Sequence, residues 1–373
     1  KTNGIAIMSQ SGIPFMYGSG DVDTVSSNET RIVATDSSGS DVGEDDEFGY
    51  SVAVGSGRVV VGAPKNNDAA PYSGDGTDSG SAYIYDLDGT IVKKINSASV
   101  QGGEQHGYSV AVGSSRVVVG APFYDYGTDN VGAVRIFDLN GSEVANTSWV
   151  SGDGQNQLYA EYIIANGAGY QFGTSVAAGS GRIVVGAPFY DDVGTTAVTG
   201  SAYVYHVNLD LIQKIVASDA AADDRFGTSV AVGSGRIVVG APLNNVLSLS
   251  NSGSAYIFDL DGNEIKKIVA SDVGLGDNFG YSVAVGSGRI VVGAPLNNDP
   301  SNSGSAYIFD LDGTQLGKIV ASDAADNDQF GTSVAVGSGR IVVGAPFDDD
   351  TGSSSGSVYV FDLDGTQLEK IVA

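Results

Sequence analysis

Cysteine is absent from the 373-residue sequence, and histidine occurs only twice. Without cysteine the chain can form no disulfide, no thiolate metal site and no cysteine nucleophile. The two histidines, His106 and His206, each replace another residue at a repeated position, so neither belongs to a Ser-His-Asp set. No pair of carboxylates stands out from the many as suited to glycoside hydrolysis. The sequence therefore predicts that the protein is not an enzyme.

Positive charge is also scarce, with 18 Lys and Arg against 44 Asp and Glu, a net charge of −26 and a pI near 4.1. Six of the 18 basic residues are arginines at one repeated position, and seven are lysines on one predicted outer strand. No basic cluster remains to follow a phosphate backbone, which excludes nucleic acid as an expected partner. No apolar run is long enough to span a bilayer, so membrane insertion is not expected either.

Glycine, by contrast, is abundant at 54 residues, and much of it belongs to one repeated segment. Phe-Gly precedes Gly-Ala-Pro by 14 residues in six copies, with His106 replacing Phe in the second. Successive copies begin 51 to 66 residues apart. A constant inner spacing with a variable outer spacing predicts a rigid unit joined by tolerant loops. A period of about 50 residues is typical of propellers and solenoids.

The last copy predicts four short strands, at 332–336, 340–343, 357–361 and 366–372. The second contains consecutive apolar residues, which predicts burial on both faces. Pro346 ends that strand because proline has no amide hydrogen for a central ladder. The fourth strand carries more charge, as an outer edge should. A four-stranded sheet that is buried on both faces at its centre is expected to be a blade packed between other blades.

We therefore predict an all-β fold, a seven-bladed β-propeller of four-stranded antiparallel blades that forms a single domain over residues 1–373. Six regular blades occupy 48–373, and residues 1–47 form a degenerate blade or a closing segment. Residues 31–36 resemble 318–323, a predicted fourth strand, which favours a closed ring over an open solenoid. The alternative is a six-bladed propeller in which the N-terminal residues act as a clasp.

The repeated Phe-Gly and Gly-Ala-Pro text resembles the FG-GAP repeat of integrin α-subunit heads and of many bacterial surface proteins. The resemblance covers about 48–373 and is closest to the bacterial type. It implies a seven-bladed propeller that acts in adhesion or ligand binding outside the cell, on a cell surface or on a virion. Integrin-type repeats often carry a calcium loop between the first two strands of a blade. Here Gly55-Ser56-Gly57 and its equivalents hold that place, so those sites are not carried over.

Acidic residues collect in two sets of loops, one before the first strand of each blade and one between the second and third strands. Both sets should emerge on the same face of the disc, which predicts one strongly acidic face. Carboxylates and carbonyls are the ligands that Ca²⁺ takes, six to eight at a time. The candidate calcium ligands are Asp219, Asp223, Asp272, Asp277, Asp326, Asp328, Asp348, Asp349 and Asp350. The alternative is that these residues are solvated and cap turns.

Aromatic residues that follow Gly-Ala-Pro or lie in the longest connection are candidates for ligand contact. Tyrosine combines an apolar ring with a hydroxyl and is enriched at recognition surfaces. The candidates are Tyr124, Tyr126 and Tyr190, together with Trp149, the only tryptophan. Trp149 lies in the segment 146–171, which could equally be an extended outer strand and a loop packed on the ring.

Two classes of function remain. The first is a non-catalytic adhesion or binding module that recognises a glycan or protein ligand through the acidic, tyrosine-bearing face. The second is a structural component of an extracellular assembly, such as a phage fibre, a virion decoration or a surface layer, in contact with other copies or components.

Overall fold

The protein forms an array of small antiparallel sheets in a computed structural model. The structure describes residues 32, 34, 46–67, 78–96, 102–125, 130–144, 156–159, 162–165, 169–190, 198–297, 301–350 and 352–372. Within these residues there are 25 strands and no helix. The strands form six sheets, which we call the first to the sixth blade in chain order.

The first three blades occupy the N-terminal half of the described chain. The first comprises β1 (Ser51–Gly55), β2 (Arg58–Ala63), β3 (Ser81–Asp86) and β4 (Ile91–Asn96). The second comprises β5 (Ser109–Gly113), β6 (Arg116–Ala121), β7 (Ala133–Phe137), β8 (Asn156–Tyr159) and β9 (Tyr162–Ala165). The third comprises β10 (Ser175–Gly179), β11 (Arg182–Ala187), β12 (Ser201–His206) and β13 (Leu211–Ile215).

The last three blades are the most regular. The fourth comprises β14 (Ser229–Gly233), β15 (Arg236–Ala241), β16 (Ser254–Phe258) and β17 (Glu264–Ile268). The fifth comprises β18 (Ser282–Gly286), β19 (Arg289–Ala294), β20 (Ser305–Phe309) and β21 (Gln315–Ile319). The sixth comprises β22 (Ser333–Gly337), β23 (Arg340–Ala345), β24 (Ser357–Asp362) and β25 (Gln367–Val372). In each of these blades the strands follow one another across the sheet in chain order.

These strands confirm the four-stranded unit predicted for the last copy, with bounds that shift by no more than two residues. Ile341 and Val343 of β23 are fully buried, as the apolar run predicts. The motif phenylalanine Phe330 is also fully buried and meets Tyr359 edge to face, with ring centroids 5.3 Å apart. The repeat therefore encodes both the sheet and an aromatic plug beside it.

The second blade departs from the predicted unit. Its fourth strand is β9, which pairs with β7 through Ala133↔Ile164 and Val134↔Ile163. β8 then adds a fifth, outermost strand. The second blade thus takes its outer strands from the segment 146–171, in agreement with its interpretation as an extended outer strand. Trp149 of that connection lies outside the described residues.

Neighbouring blades pack face to face, and the cores lie between them. One core cluster joins Val291 and Ile308 of the fifth blade to Phe330, Ile341 and Val343 of the sixth. A second core cluster joins the fourth blade to the fifth in the same way. Consecutive blades therefore bury their facing sides against each other.

A repeated pair of hydrogen bonds fixes each seam between consecutive blades. At the seam of the fifth and sixth blades, Ser282 Oγ donates to Gly331 O at 2.8 Å and Arg289 Nε donates to Leu363 O at 3.3 Å. The other four seams have the same arginine hydrogen bond, donated by Arg58, Arg116, Arg182 and Arg236. The arginine that starts the second strand therefore ties each of the first five blades to the turn of the next blade.

The described residues contain six blades, so the prediction of seven is corrected and the six-bladed alternative agrees with them. Each of the six described blades carries Phe-Gly, or His-Gly in the second, and Gly-Ala-Pro, whereas residues 1–47 contain neither. Of those residues, most of the predicted degenerate blade lies outside the described part. Ile32 and Ala34 are described, and both are buried against Val52 and Val61 of the first blade.

The six inner strands line one central cavity of about 630 Å³. Its walls are the valines and alanines of β1, β5, β10, β14, β18 and β22. Because each inner strand starts directly after its Phe-Gly element, one mouth of the cavity opens on the face that carries the acidic loops.

Candidate functional site

The acidic face is organised by one polar network that recurs from blade to blade. In the fifth blade, Lys318 Nζ donates to Asp272 Oδ2 at 2.8 Å and to Asn297 Oδ1 at 3.1 Å. The Tyr307 hydroxyl donates to Asp272 Oδ1 at 2.9 Å. Asn297 Nδ2 in turn donates to Asp277 Oδ2 at 3.1 Å. Because the network joins the connection before the blade to the loop between its second and third strands, both sets of loops lie on one face, as predicted.

The fourth blade repeats the network with Asp219, Lys267, Tyr256, Asn244 and Asp224. Partial burial alone would raise the pKa of Asp219. Hydrogen bonds from Lys267 and Tyr256 outweigh it, so the net pKa lies below its ordinary value. Burial raises the pKa of Asp224, which has only an amide and a backbone N–H as donors. Four of the predicted calcium ligands, Asp219, Asp272, Asp277 and Asp328, therefore hold network positions, whereas Asp223 and Asp326 are exposed.

In the sixth blade a lysine takes the centre of a carboxylate cluster. Lys370 Nζ lies 2.5 Å from Asp323 Oδ2 and 3.2 Å from Asp348 Oδ2, and it also contacts Asp350. Carboxylate oxygens of these three aspartates lie within 4.8 Å of one another. They offer the donor type that calcium prefers, but the Lys370 ammonium holds the position between them. The arrangement therefore does not fit a calcium ion while Lys370 stays in place.

Asp348 is the one substitution that sets this network apart. It stands where the fourth and fifth blades have Asn244 and Asn297, and it keeps the contacts of the amide oxygen, since Ser357 Oγ donates to Asp348 Oδ1 at 2.9 Å. The Asp348 side chain has no N–H that could donate to Asp328, which is the counterpart of Asp277. Burial first, and then the negative charge of Asp348, raise the pKa of Asp328. The sixth blade thus holds two buried carboxyl groups where its neighbours hold a carboxylate and an amide.

Tyr124 and Tyr190 occupy the same position of the repeat as those asparagines. Tyr190 is only 3% exposed, and Lys214 Nζ lies 3.5 Å above its ring. Its other neighbour is Tyr170, which replaces the network aspartate, at a centroid distance of 4.7 Å. The structure therefore places Tyr190 inside a blade, where a ligand would not reach its ring. Tyr124 is half-buried and packs on Ala133, and Tyr126 lies outside the described residues.

Three tyrosines that the sequence did not single out surround the mouth of the central cavity. Tyr50, Tyr108 and Tyr281 each follow a Phe-Gly or His-Gly element by one residue, where the other blades have threonine. Tyr50 and Tyr108 lie 5.0 Å apart between ring centroids. Tyr50 is 37% exposed and Tyr281 43%. Desolvation raises the pKa of Tyr50, and its neighbours Tyr108 and Tyr281 raise it further, so the hydroxyl stays protonated.

The second blade carries polar residues in its core. His106 replaces the motif phenylalanine and is fully buried, with neither ring nitrogen in a hydrogen bond. Arg135 replaces the tyrosine that this phenylalanine meets in other blades, and it binds both carboxylate oxygens of Glu143 at 3.0 and 2.9 Å. Burial, with a smaller contribution from Arg135, lowers the pKa of His106 well below its ordinary value. The two substitutions are structural, as the sequence predicts for His106.

Comparison with known proteins gives two findings. A family model described as the FG-GAP repeat matches residues 27–85, 210–258, 263–309 and 314–361, which is more than half of the chain. The sequence is also similar to integrin alpha-PS5 of Drosophila melanogaster, with 33% identity over 132 residues. That alignment covers 31% of this chain and 13% of the integrin chain. Among the described residues there is no helix with the length and hydropathy of a membrane span.

Proposed function

Because the chain belongs to the FG-GAP repeat family, we propose that it is a non-catalytic binding or adhesion module that acts outside the cell. Its ligand, a glycan or a protein, lies on the acidic face across the mouth of the central cavity. Fold alone does not fix a function, so the proposal depends on the chemistry of that mouth.

The group of Tyr50, Tyr108 and Tyr281 is the observation that carries the proposal. Large aromatic side chains left partly exposed around a concave site are typical of recognition surfaces. Three other blades show that the fold accepts a threonine at this position, in Thr174, Thr228 and Thr332. The tyrosines are therefore not required by the repeat. Their rings can stack on a sugar or pack on an apolar side chain, while the hydroxyls bind polar groups.

The test is a double substitution, Tyr50→Thr with Tyr281→Thr, that uses the residue the chain itself has in other blades. Wild-type protein and variant are applied to a glycan array and to a panel of purified extracellular proteins. We expect the double variant to lose at least about tenfold in affinity, or about 1.4 kcal/mol, for any ligand of the wild type. Leu316→Asn, on the outer strand of the fifth blade, is the control and should bind normally.

A double variant that keeps every wild-type signal would contradict this site. The second class of function, a component of an extracellular assembly, predicts instead that the protein binds nothing on either array and forms defined oligomers. Sedimentation of the wild-type protein over a range of concentrations distinguishes the two. Tyr124, at the edge of the same face, is the secondary candidate and is tested as Tyr124→Ala.

The second part of the proposal is that the carboxylate cluster of the sixth blade can bind calcium. The three carboxylates of Asp323, Asp348 and Asp350 would bind calcium only if Lys370 left them. We expect Lys370→Met to show a higher Tm in millimolar calcium than in chelator, and the wild type to show a smaller difference. Equal Tm values of the variant in both solutions would remove calcium from this cluster.

A further inference from the structure

One loop of the fourth blade displays a leucine in a backbone conformation that leucine disfavours. Leu249 N donates to Val246 O at 2.8 Å, which closes a tight turn. The two central residues, Leu247 and Ser248, have φ values of 52° and 66°. Two positive φ values are typical of the turns that Asn and Gly favour, because a Cβ crowds the backbone there. Leucine at this position therefore costs free energy relative to asparagine.

Packing does not offset that cost, because Leu247 is 82% exposed. The loop is nevertheless held firmly. Ser252 Oγ accepts a hydrogen bond from Val246 N at 2.9 Å, and Asn245 Oδ1 accepts one from Asn251 N at 2.8 Å. A strained residue that the surrounding loop holds in place without burying it is typical of a functional position. The turn thus presents its leucine to solvent in a fixed orientation.

A second leucine lies in the loop that packs beside this turn. Leu275 is 62% exposed and belongs to the connection between the fourth and fifth blades. That connection is tied to the first loop, since Gly276 N donates to Ser250 O at 2.9 Å and Asn278 N to Asn251 O at 3.0 Å. Val246 and Leu249, in the loop between β15 and β16, are half-buried. We call these two residues together with Leu247 and Leu275 the leucine patch.

The side chains of the leucine patch are not part of the repeated sequence. The residues that correspond to Leu275 in the neighbouring connections are Ala222 and Asp326. Where the fourth blade has Val246 to Leu249, the fifth blade has only Asp299 and Pro300. Two adjacent loops have thus gained apolar side chains at positions where other blades are small or acidic, which points to a shared use of the surface.

The surroundings of the patch are negative. Asp272 begins the connection that carries Leu275, and Asp219 and Asp223 lie in the preceding connection on the same face. The nearby lysines, Lys267 and Lys318, are already paired with Asp219 and Asp272. A protein of net charge −26 is repelled by anionic bilayers and favours basic surfaces.

We propose that the leucine patch anchors a protein partner that offers an apolar pocket bordered by Lys and Arg. The two leucines fill the pocket, and the negative charge of this face attracts its basic rim. This rests on the binding function proposed above but uses other residues of the same face than the tyrosine-lined mouth, so variants of either group can be tested without the other.

The first experiment measures binding to three immobilised helical peptides: an amphipathic one of Leu and Lys, an amphipathic one of Leu and Glu, and a polar one of Ser and Lys that has no apolar face. The wild-type protein should prefer the Leu and Lys peptide at physiological salt. Leu247→Asn with Leu275→Asn should weaken that binding at least about tenfold, although net charge is unchanged. Leu316→Asn and the Tyr50→Thr, Tyr281→Thr variant should bind as the wild type does. Unchanged binding by the double leucine variant, or preference for Leu and Glu, overturns the proposal.

Two further measurements complete the test. Leu247→Asn should unfold at the same Tm as the wild type or at a higher one, because asparagine tolerates positive φ. A clear fall in Tm would make Leu247 a structural residue and overturn the proposal. Wild-type binding to phosphatidylserine vesicles that exceeds binding to the Leu and Lys peptide would assign the patch to membranes and overturn it as well.

Discussion

At the scale of single residues, the acidic face is a set of local charge balances. The aspartates that the sequence offers as metal ligands meet lysines from outer strands, as Asp272 meets Lys318 and Asp323 meets Lys370. These residues lie 46 and 47 positions apart in the chain. Each of these pairs is satisfied by the protein itself, and in the sixth blade Asp348 replaces the amide that would donate to Asp328.

Asp348→Asn should therefore raise the free energy of unfolding at pH 7 by about 1 kcal/mol, the contribution of one buried hydrogen bond. The new amide would donate to Asp328, as Asn297 donates to Asp277, and one buried negative charge would be lost. Chemical denaturation measures the change. The reverse substitution in the fifth blade, Asn297→Asp, should destabilise by a similar amount. If Asp348→Asn proves destabilising, the salt bridge to Lys370 outweighs the missing amide.

His106 should make stability depend on pH below neutrality. Its pKa is lowered in the folded protein, so below pH 6.5 the unfolded chain binds more protons and stability is lost as pH falls. Between pH 7.5 and 5.5 this single group should cost about 1 kcal/mol of unfolding free energy. His106→Phe, which restores the motif residue, should lose less stability over that range. Identical pH profiles of the two proteins would show that His106 does not titrate on unfolding.

At the scale of elements, the strands depend on signals that are close together in the sequence, whereas the seams depend on contacts between distant residues. The strands follow from β-rich segments of five or six residues, from tight Gly-Ser-Gly turns and from Pro346, and these signals are continuous in sequence. The fourth strand of the second blade, at 162–165, lies within the segment 146–171 that the sequence offered as an extended outer strand, but its bounds were not predicted because its pairing with β7 spans a long connection. Seams join residues from different blades, as Ser282 joins Gly331.

The glycine of Gly-Ala-Pro should be indispensable because of these seams. A Cβ on Gly293 would lie 2.0 Å from Gly331 O of the sixth blade, and that backbone cannot yield without opening the seam. We expect Gly293→Ala to destabilise by about 3 kcal/mol or more. Gly317→Ala, on the outer strand of the same blade, would meet no atom within 4 Å and should be neutral or slightly stabilising. Similar Tm values for the two variants would contradict the close approach.

At the scale of the whole molecule, the six described blades line one cavity and carry their acidic loops on one face. Tyr50, Tyr108 and Tyr281 come from the first, second and fifth blades, so only the arrangement of the blades makes them neighbours. The net charge of −26 means that the molecule as a whole repels itself electrostatically, which should oppose the compact state.

Tm should therefore rise when sodium chloride is increased from about 10 to 200 mM, because the Debye length shortens from about 30 Å to below 10 Å. Differential scanning calorimetry measures the change. A matched series in sodium sulfate at equal ionic strength separates screening from salting-out effects. A Tm that falls with sodium chloride would show that ion pairs such as Lys318–Asp272 contribute more than the self-repulsion removes.

The sequence by itself determined the blade. Periodic apolar runs, turn glycines and the Phe-Gly and Gly-Ala-Pro elements lie within about 40 residues, and short-range chemistry suffices to form the sheet and its plug. Tertiary structure decided what the blades form together: the number of blades among the described residues, the hydrogen bonds across each seam, and the meeting of three tyrosines at one mouth. Those contacts depend on distances between separate blades, which no local pattern specifies.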